Sequence, residues 1–381
     1  MTGRPRIFLY VQHLLGIGHQ TRAATLARAL QRAGFAVDFV AGGFPVPGLE
    51  LGGARVHQLP PLRATDIYFK VLVDEQGRQA DEAFKAARRD RLLALFAARD
   101  PDILLTEMFP FGRRQMRFEL LPLLDAARAR RRPPLIASSV RDILVASPKP
   151  QRVTEMLGWV ERYYDLVLVH GDPAFVPFER TFAPAAEIAG KLRYSGYVID
   201  ERATATAAPN PEGQDCVIVS TGGGAVSEPL LEAALAARAL TPLKDRHWRL
   251  LVGHNLPEAR FAGLGARAPR GVTVERSRSD FVQLLKGAAL SISQAGYNTL
   301  LEVMGAKCPC LVVPYAGGLE TEQTLRARLL EERGLLAIVK EQDLSAERLA
   351  EGVERALAAA GTAQRLELDV GGGPRSAALL S

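Results

Sequence analysis

Few cysteines and no long apolar run occur in this sequence. The cysteines are Cys216, Cys308 and Cys310, all in apolar stretches, and no zinc-type spacing of cysteine and histidine accompanies them. We therefore predict buried thiols and no metal site. No stretch approaches the ~18 apolar residues of a membrane span, and residues 1–10 lack the apolar core of a signal peptide, so we expect a cytoplasmic protein.

A strong excess of charge of one sign is also lacking. Lysine and arginine number 48 against 42 aspartate and glutamate, a formal charge of +6, which implies a mild attraction to anions without identifying them. The densest basic run, 128–132, fits a solvated helix end, an anionic membrane surface or nucleic acid. Because no nucleic-acid motif accompanies it, we expect no nucleic-acid partner. Peripheral association with the inner face of an anionic membrane stays open.

The length and the pattern of apolar segments indicate two domains. A chain of 381 residues exceeds the size of a typical single core. Short apolar stretches alternate with amphipathic ones, which is typical of α/β proteins with parallel sheets. An Ala/Thr/Pro/Asn-rich stretch, 204–211, interrupts the alternation as a linker would. We therefore predict one domain over 1–205 and another over 206–381.

A glycine turn follows the first predicted strand, Arg6–Val11. Gly16, Gly18 and His19 then precede an alanine-rich helix from about Thr21. Two glycines at this spacing could open a dinucleotide fingerprint, but Thr21 stands where the third glycine would be. The turn is therefore only weak support for a nicotinamide-dinucleotide site.

Other polar residues follow predicted strands of the first domain. The carboxyl ends of parallel strands share one edge of a sheet, where open α/β sheets bind ligands. We expect these side chains to contact a substrate, with a structural role as the alternative for each, such as pairing of an arginine with a local carboxylate. The residues are His13, Glu107, Arg113 and Arg141.

Strand–turn–helix units also dominate the second domain. Two of them follow each other within 290–334, the first turning at Gly296. Upstream, Ser220–Gly224 is a glycine turn suited to a diphosphate, because glycine lets the backbone approach closely and a helix N-terminus follows. A plain strand-to-helix turn is the alternative. No lysine follows at the Walker spacing, which disfavours a P-loop ATPase.

This pattern resembles the donor half of GT-B glycosyltransferases, most closely the MurG type with a family 28 C-terminal domain. In that family a turn glycine is followed six residues later by a glutamate that binds the ribose hydroxyls, as Gly296 is followed by Glu302. A proline after the next strand then precedes a glutamine that contacts the donor sugar, as Pro314 precedes Gln323, with a loop about one residue longer here. The resemblance implies an α/β fold of two Rossmann-like doubly wound domains facing across a cleft. The donor-binding residues that it implies are Gly222, Gly223, Gly224, Phe281, Val282, Gly296, Thr299, Glu302, Glu322 and Gln323.

The same resemblance implies a reaction. Residues 1–205 would bind an acceptor and residues 206–381 a nucleotide sugar, and a sugar would pass from a UDP-linked donor to a hydroxyl acceptor that the sequence does not identify. The transfer would be inverting and would need no cofactor, and the lack of an Asp-x-Asp motif fits independence of metal. His19 is the candidate base, since imidazole accepts protons near neutral pH and a helix N-terminus favours its neutral form. A turn-stabilising or substrate-binding role for His19 is the alternative, and Gly16 and Gly18 would border it on the acceptor side.

Two other functions stay open. UDP-sugar 2-epimerases share this scaffold and would need acids and bases at the sugar's C2, for which Glu107 and Asp142 are candidates. A non-catalytic nucleotide-sugar-binding protein would bind the donor and be indifferent to the loss of His19. Incubation with donor alone separates the first of these from a transferase, because an epimerase converts the donor without an acceptor.

Overall fold

The computed structural model describes residues 4–66, 69–144, 149–199, 208–221, 228–254, 256–317, 321–362 and 368–381. The chain divides into two compact units, one comprising Met1–Val198 with Leu368–Ser381, the other Ile199–Glu367. The division lies close to the border that the linker composition predicts. Residues 368–381, however, belong to the first unit, whereas the sequence analysis places them in the second domain.

The first unit is built on a parallel sheet. Its elements are β1 (Arg6–Val11), α1 (Gly18–Arg32), β2 (Ala36–Ala41), β3 (Arg55–Gln58), β4 (Arg63–Ala64), β5 (Leu72–Val73), α2 (Glu82–Arg99), β6 (Ile103–Glu107), α3 (Arg117–Arg128), β7 (Leu135–Arg141), α4 (Pro150–Tyr163), β8 (Leu166–His170) and β9 (Leu192–Tyr194). The sheet order is β3-β2-β1-β6-β7-β8-β9, and β4 and β5 form a separate antiparallel ribbon. The order reverses at β1, which pairs with β2 on one side and β6 on the other, and open sheets bind ligands at such a point.

The central strands of this sheet are buried on both faces, which explains why they are largely apolar. Phe8 and Tyr10 of β1 pack into one core, whereas Ile7 and Leu9 pack into the other. A parallel sheet covered by helices on both sides has this property. The polar residues that matter therefore lie at the strand ends rather than along the strands.

The second unit repeats the architecture. Its elements are β10 (Val217–Ser220), α5 (Glu228–Ala237), β11 (Trp248–Val252), α6 (Glu258–Arg267), β12 (Val272–Arg276), α7 (Phe281–Leu285), β13 (Leu290–Ser293), α8 (Tyr297–Gly305), β14 (Cys310–Val312), α9 (Glu322–Glu331), β15 (Ala337–Ile338) and α10 (Ala346–Thr362). The parallel sheet has the order β12-β11-β10-β13-β14-β15, which reverses at β10, between β11 and β13. Its ligand-binding position is therefore expected at the carboxyl ends of β10 and β13.

The last helix, α11 (Gly372–Leu380), packs against α1 of the first unit. Ala377 and Leu380 complete the core beneath β1. Gly372 approaches the backbone carbonyl of Gly196 so closely that a Cβ at this position would lie 2.5 Å from that oxygen. This close packing explains why the end of the chain returns to the first unit.

The cysteine prediction is confirmed: all three thiols are buried and free. Burial raises the pKa of the Cys308 thiol to about 12, so it is unreactive near neutral pH. In the described ranges, no helix combines the length and the apolar character needed to cross a membrane. Nor does any cluster of histidine, cysteine or carboxylate side chains within those ranges form a candidate metal site.

The basic run at 128–132 contains locally paired arginines. Arg128 donates to the carbonyl oxygen of Tyr163 at 3.0 Å and to Asp165 Oδ1 at 2.7 Å. Arg130 forms an ion pair with Asp100. These contacts agree with a solvated helix end, the first of the three interpretations of this run.

Candidate active site

His19 lies on the first turn of α1, directly beyond the glycine turn that follows β1. Its Nδ1 lies 3.0 Å from Oε1 of Glu107, the last residue of β6. Since β1 and β6 are neighbours at the point where the sheet order reverses, the fold brings together two residues 88 positions apart. The His19 side chain is 15% exposed and the Glu107 side chain is fully buried.

The Glu107 carboxylate accepts hydrogen bonds on both oxygens. Arg22, one helical turn after His19 on α1, donates to the same oxygen as His19. Ser139 on β7 donates its hydroxyl to Oε2 at 2.7 Å. A buried charge is tolerated when it is paired and hydrogen-bonded, and this carboxylate meets both conditions.

The protonation of His19 follows from its surroundings. Burial, with Arg113, Arg141 and Arg22 adding to it, holds the pKa of His19 well below its usual value of 6.5. The imidazole is therefore neutral at neutral pH. Because Glu107 only accepts, we assign the hydrogen to Nδ1, which leaves the lone pair on Nε2.

A neutral imidazole oriented by a carboxylate can act as a general base. Nε2 can accept a proton from a hydroxyl, and the buried carboxylate then stabilises the imidazolium that forms. The low pKa of His19 makes it a weak base on its own, so this stabilisation is needed. The pair therefore has the chemistry required of the base that the sequence analysis assigns to His19.

The remaining acceptor-side residues lie at the same edge of the first sheet. Arg113 donates its Nε to the carbonyl oxygen of Gln12, at the end of β1, with a distance of 2.6 Å. Burial and the charge of Arg141 lower the pKa of Arg113 to about 10. His13 is buried against Gly43, where a Cβ would lie 2.3 Å from its ring, and burial and Arg113 lower the pKa of His13 to about 4. The packing of His13 fits the structural alternative.

Asp142 and Gly16 complete the predicted set. Asp142 is fully buried and accepts from the Tyr197 hydroxyl at 2.9 Å and from the Ile143 N–H at 2.8 Å. Gly16 is exposed, and a Cβ there would meet no atom within 4 Å. Gly18 is the first residue of α1. A contact of any of these residues with an acceptor stays a prediction.

Sequence reasoning missed Arg22, Ser139 and His170. Ser139 on β7 and His170, the last residue of β8, reach the same sheet edge, so the strand-end rule applied to Glu107 would have selected them too. Arg22 stands three residues after His19, a spacing that places both on one helix face. The sequence therefore contained a pattern that points to each of the three residues: a strand end for Ser139 and His170, and helical spacing for Arg22.

In the second unit, the predicted diphosphate turn at Gly222, Gly223 and Gly224 lies outside the described residues. The sheet edge next to it is described. In this part of the chain, the hydroxyls of Thr221 and Ser293 are buried and make no hydrogen bond. They lie at the carboxyl ends of β10 and β13, and buried hydroxyls without a protein partner there indicate a place for a polar ligand.

Gly296 precedes α8 at this edge. No side chain caps the helix N-terminus, and Gly296 has an ordinary φ of −64° and ψ of 146°. Among the described residues, no atom lies within 4 Å of where a Cβ at Gly296 would be. Neither the backbone nor the packing of the described residues therefore requires glycine here; glycine is a favoured residue before a helix, and contact of a ligand with this N-terminus stays a prediction.

Thr299 and Glu302 are half-buried on α8, one and two turns from this N-terminus. Gln323 on α9 is tied to the loop after β14, because its Oε1 accepts from the Tyr315 N–H at 3.1 Å. Glu322 is only 2% exposed, and its carboxylate accepts from Arg326 at 2.9 Å. A buried ion pair thus lies where the sequence analysis expects a donor contact.

The predicted base-binding residues belong to α7. Phe281 is half-buried and Val282 is buried. Asp280 precedes the helix but does not cap it with its side chain. Its carboxylate instead binds Arg278 at 2.8 Å and Asn210 at 2.6 Å, which fixes the start of α7 against the beginning of the unit. Contact of Phe281 and Val282 with a base stays a prediction.

Comparison with known proteins gives the following matches. Residues 217–367 match the glycosyltransferase family 28 C-terminal domain. An "uncharacterized glycosyltransferase" of Methanosarcina acetivorans is 23% identical, over 84% of this chain and 82% of its own. A UDP-N-acetylglucosamine–N-acetylmuramyl-(pentapeptide) pyrophosphoryl-undecaprenol N-acetylglucosamine transferase of Thiobacillus denitrificans is 31% identical, over 40% of this chain and 42% of its own.

Solved structures give the fold. The calicheamicin glycosyltransferase CalG4 aligns with a TM-score of 0.65 and 19% identity, covering 100% of this chain and 98% of its own. A putative UDP-N-acetylglucosamine 2-epimerase of Listeria monocytogenes aligns with a TM-score of 0.63 and 13% identity, covering 99% and 95%. At these identities the likeness concerns the fold alone, and it confirms the α/β GT-B class.

Proposed function

We propose that this chain, a glycosyltransferase of the GT-B fold with a family 28 C-terminal domain, transfers a sugar from a UDP-sugar to a hydroxyl acceptor with inversion and without an obligatory metal ion. The observation that carries the proposal is the His19–Glu107 pair at the edge of the first sheet. The donor is assigned to the second unit and acceptor activation to the first. The acceptor itself is left unidentified.

The reaction is a single displacement at the anomeric carbon. Nε2 of His19 takes the proton of the acceptor hydroxyl, whose oxygen forms a bond to the anomeric carbon. The bond between that carbon and the diphosphate oxygen breaks, and the nucleoside diphosphate leaves with the electron pair. Glu107 stabilises the imidazolium during the step, and attack opposite the leaving group inverts the anomeric configuration.

The leaving diphosphate needs stabilisation that a metal would otherwise supply. We assign this to the N-terminus of α8, the hydroxyls of Thr221 and Ser293, and the glycine turn at 222–224. Backbone N–H groups and a helix dipole are suited to an anion. Glu302 is assigned to the ribose hydroxyls. The UDP assignment is supported by the family 28 match and by the UDP-N-acetylglucosamine transferase relative.

The UDP-N-acetylglucosamine transferase relative also bears on where this protein works and on its association with a membrane. A relative named for a lipid-linked substrate fits a protein that works at the cytoplasmic face of a membrane. The local pairing of Arg128 and Arg130 gives that location no electrostatic support of its own. Peripheral membrane association is therefore a secondary part of the proposal.

The epimerase alternative shares the fold but not the site. Glu107 has both oxygens engaged, and Asp142 is buried on the Tyr197 hydroxyl, so neither is placed to move a proton at C2 of a sugar. Incubation with UDP-sugar alone decides the matter. A transferase leaves the sugar configuration at C2 unchanged, whereas an epimerase yields the C2 epimer, which proton NMR detects.

The role of His19 is tested with a matched pair of variants. His19→Ala should lower kcat by roughly 10²–10⁴ while donor affinity is kept, because only the proton-accepting group is removed. His57→Ala removes another histidine–carboxylate pair of the first unit, with Asp38 at 2.7 Å, and should leave kcat unchanged. Wild-type turnover in a folded His19→Ala protein would exclude His19 as the base. Donor binding without any transfer, equal in both variants and the wild type, would favour a non-catalytic binding protein.

A further inference from the structure

A chain of hydrogen bonds leads away from Glu107 along the carboxyl ends of the neighbouring strands. Ser139 Oγ lies 2.7 Å from Glu107 Oε2 and 2.8 Å from His170 Nε2. His170 Nδ1 lies 2.8 Å from the hydroxyl oxygen of Ser195. All four side chains are fully buried. This series of hydrogen bonds runs from β6 through β7 and β8 to the residue after β9.

The hydrogens in this chain can be assigned from its acceptor end. The carboxylate of Glu107 only accepts, so Ser139 donates to it. Ser139 has one hydroxyl hydrogen, so it must accept from His170 Nε2–H. Burial lowers the pKa of His170 to about 3, so the ring is neutral and, with the hydrogen on Nε2, its Nδ1 is an acceptor that faces the Ser195 hydroxyl, which also lies 2.9 Å from the carbonyl oxygen of Gly196. The hydrogen bonds from His170 to Ser139 and from Ser139 to Glu107 therefore both point towards Glu107.

We propose that Ser139 and His170 are positioning residues that hold the Glu107 carboxylate in the orientation from which it accepts the Nδ1–H of His19. The inference rests on the proposed function of His19 as the base. It adds two residues that never touch a substrate and act only through Glu107.

Ser139 and His170 are needed because Arg22 competes with Ser139 for the second oxygen of the Glu107 carboxylate. Arg22 already donates to Oε1, and a guanidinium tends to take both oxygens of a carboxylate. Ser139 occupies Oε2 and so prevents the carboxylate from turning towards Arg22 alone. His170 in turn donates to the Ser139 oxygen. The hydroxyl hydrogen of Ser139 therefore points to Glu107. Loss of either residue frees the carboxylate to leave His19.

A spectroscopic test needs neither donor nor acceptor. Protein labelled with 15N-histidine should show the Nδ1–H of His19, identified by its absence in His19→Gln. In Ser139→Ala and His170→Leu this resonance should broaden through faster exchange with water, because the carboxylate no longer holds the hydrogen. His170→Gln, whose amide can still donate to Ser139, should restore it.

Ser138→Ala is the matched control. Ser138 is the neighbouring residue on β7, is equally buried, and donates to the carbonyl oxygen of Phe109 at 2.8 Å, outside this chain of bonds. Ser138→Ala loses one buried hydroxyl hydrogen bond, to a neutral carbonyl oxygen, and leaves the partners of Glu107 in place. The resonance of His19 should be unchanged in Ser138→Ala.

Steady-state kinetics supply the second readout. Ser139→Ala should lower kcat roughly 10-fold, the effect of one hydrogen bond to a charged group, with the KM for donor unchanged. A folded Ser139→Ala protein with the wild-type resonance and kcat would overturn the inference, while the loss of turnover in His19→Ala would still support the proposed function. If Ser139→Ala does not fold, the comparison of His170→Leu with His170→Gln tests the inference in its place. Equal His19 resonances and equal kcat in these two variants would overturn it. Full turnover in His19→Ala would refute the proposed function, and the resonance would still report whether Ser139 positions Glu107.

Discussion

Replacement of Gly296 by alanine should separate folding from ligand binding. The backbone at Gly296 has φ −64° and ψ 146°, which any L-residue adopts, and the added Cβ would come within 4 Å of no atom in the part of the chain that the structure describes. Alanine is a poorer residue than glycine before a helix, but it also restricts the unfolded chain, and the two effects are of similar size, about 0.5–1 kcal/mol. We therefore expect the free energy of unfolding to change by less than about 1 kcal/mol.

Donor binding should respond differently. The methyl group would fill the space next to the N-terminus of α8, where we place the diphosphate. Loss of one charge-assisted hydrogen bond is worth ~1.5–3 kcal/mol, so the Kd for UDP should rise roughly 10- to 150-fold. Isothermal titration calorimetry measures the affinity, and urea denaturation measures the stability of the same protein.

Gly305 provides the control at the other end of the same helix. A Cβ there would touch only Ile199, at an ordinary 3.8 Å, so Gly305→Ala should be neutral or mildly stabilising and should bind UDP as the wild type does. A stable Gly296→Ala protein with wild-type affinity for UDP would refute the reasoning, because the open space would then have no connection with the ligand.

Three further predictions follow from the same structure. Glu302→Ala should weaken donor binding by roughly 1.5–3 kcal/mol, measured by calorimetry, and unchanged affinity would remove Glu302 from the site. Glu322→Ala should instead lower the free energy of unfolding by about 3–5 kcal/mol, because it removes the buried carboxylate that accepts from the buried Arg326; a change below ~1 kcal/mol in urea denaturation would contradict this. Burial keeps His13, with a pKa of about 4, and His170, with a pKa of about 3, neutral in the folded protein, whereas the unfolded chain binds protons below pH ~6.5. The free energy of unfolding should therefore fall by about 1.4 kcal/mol per pH unit for each such histidine between pH 6 and pH 4, and a slope that is unchanged in His170→Gln would be evidence against the assignment.

The central strands were predictable because they are buried, largely apolar runs, unlike the edge strands β3 and β12, which are exposed or half-buried. The first strand, Arg6–Val11, has the predicted bounds in the structure. Helix ends were less predictable: α1 starts at Gly18 rather than near Thr21, because the backbone can enter the helix as soon as the glycine turn ends. The position of α11 could not be predicted, since close packing of Gly372 against Gly196 depends on residues far apart in the chain.

The candidate site was predictable in its members but not in its connections. His19 and Glu107 both follow strands, and the strand-end rule selects both, but only the sheet order shows that β1 and β6 are neighbours. Glu322 shows the opposite case. Its place after a glycine-containing loop suits a ligand contact, yet Arg326 one turn later on α9 takes its carboxylate. A local ion pair of this kind competes with ligand binding and cannot be weighed from family resemblance.

Calorimetric titration of the purified protein with UDP, GDP, TDP, ADP, their sugar conjugates and NAD(P)H, in the presence of EDTA and then of a divalent metal ion, tests the central claim most directly. We predict selective binding of UDP or a UDP-sugar that is the same with and without metal. Binding of NAD(P)H alone would show that the turn at Gly16 and Gly18 is a dinucleotide site, and it would contradict the assignment of this protein's donor and reaction.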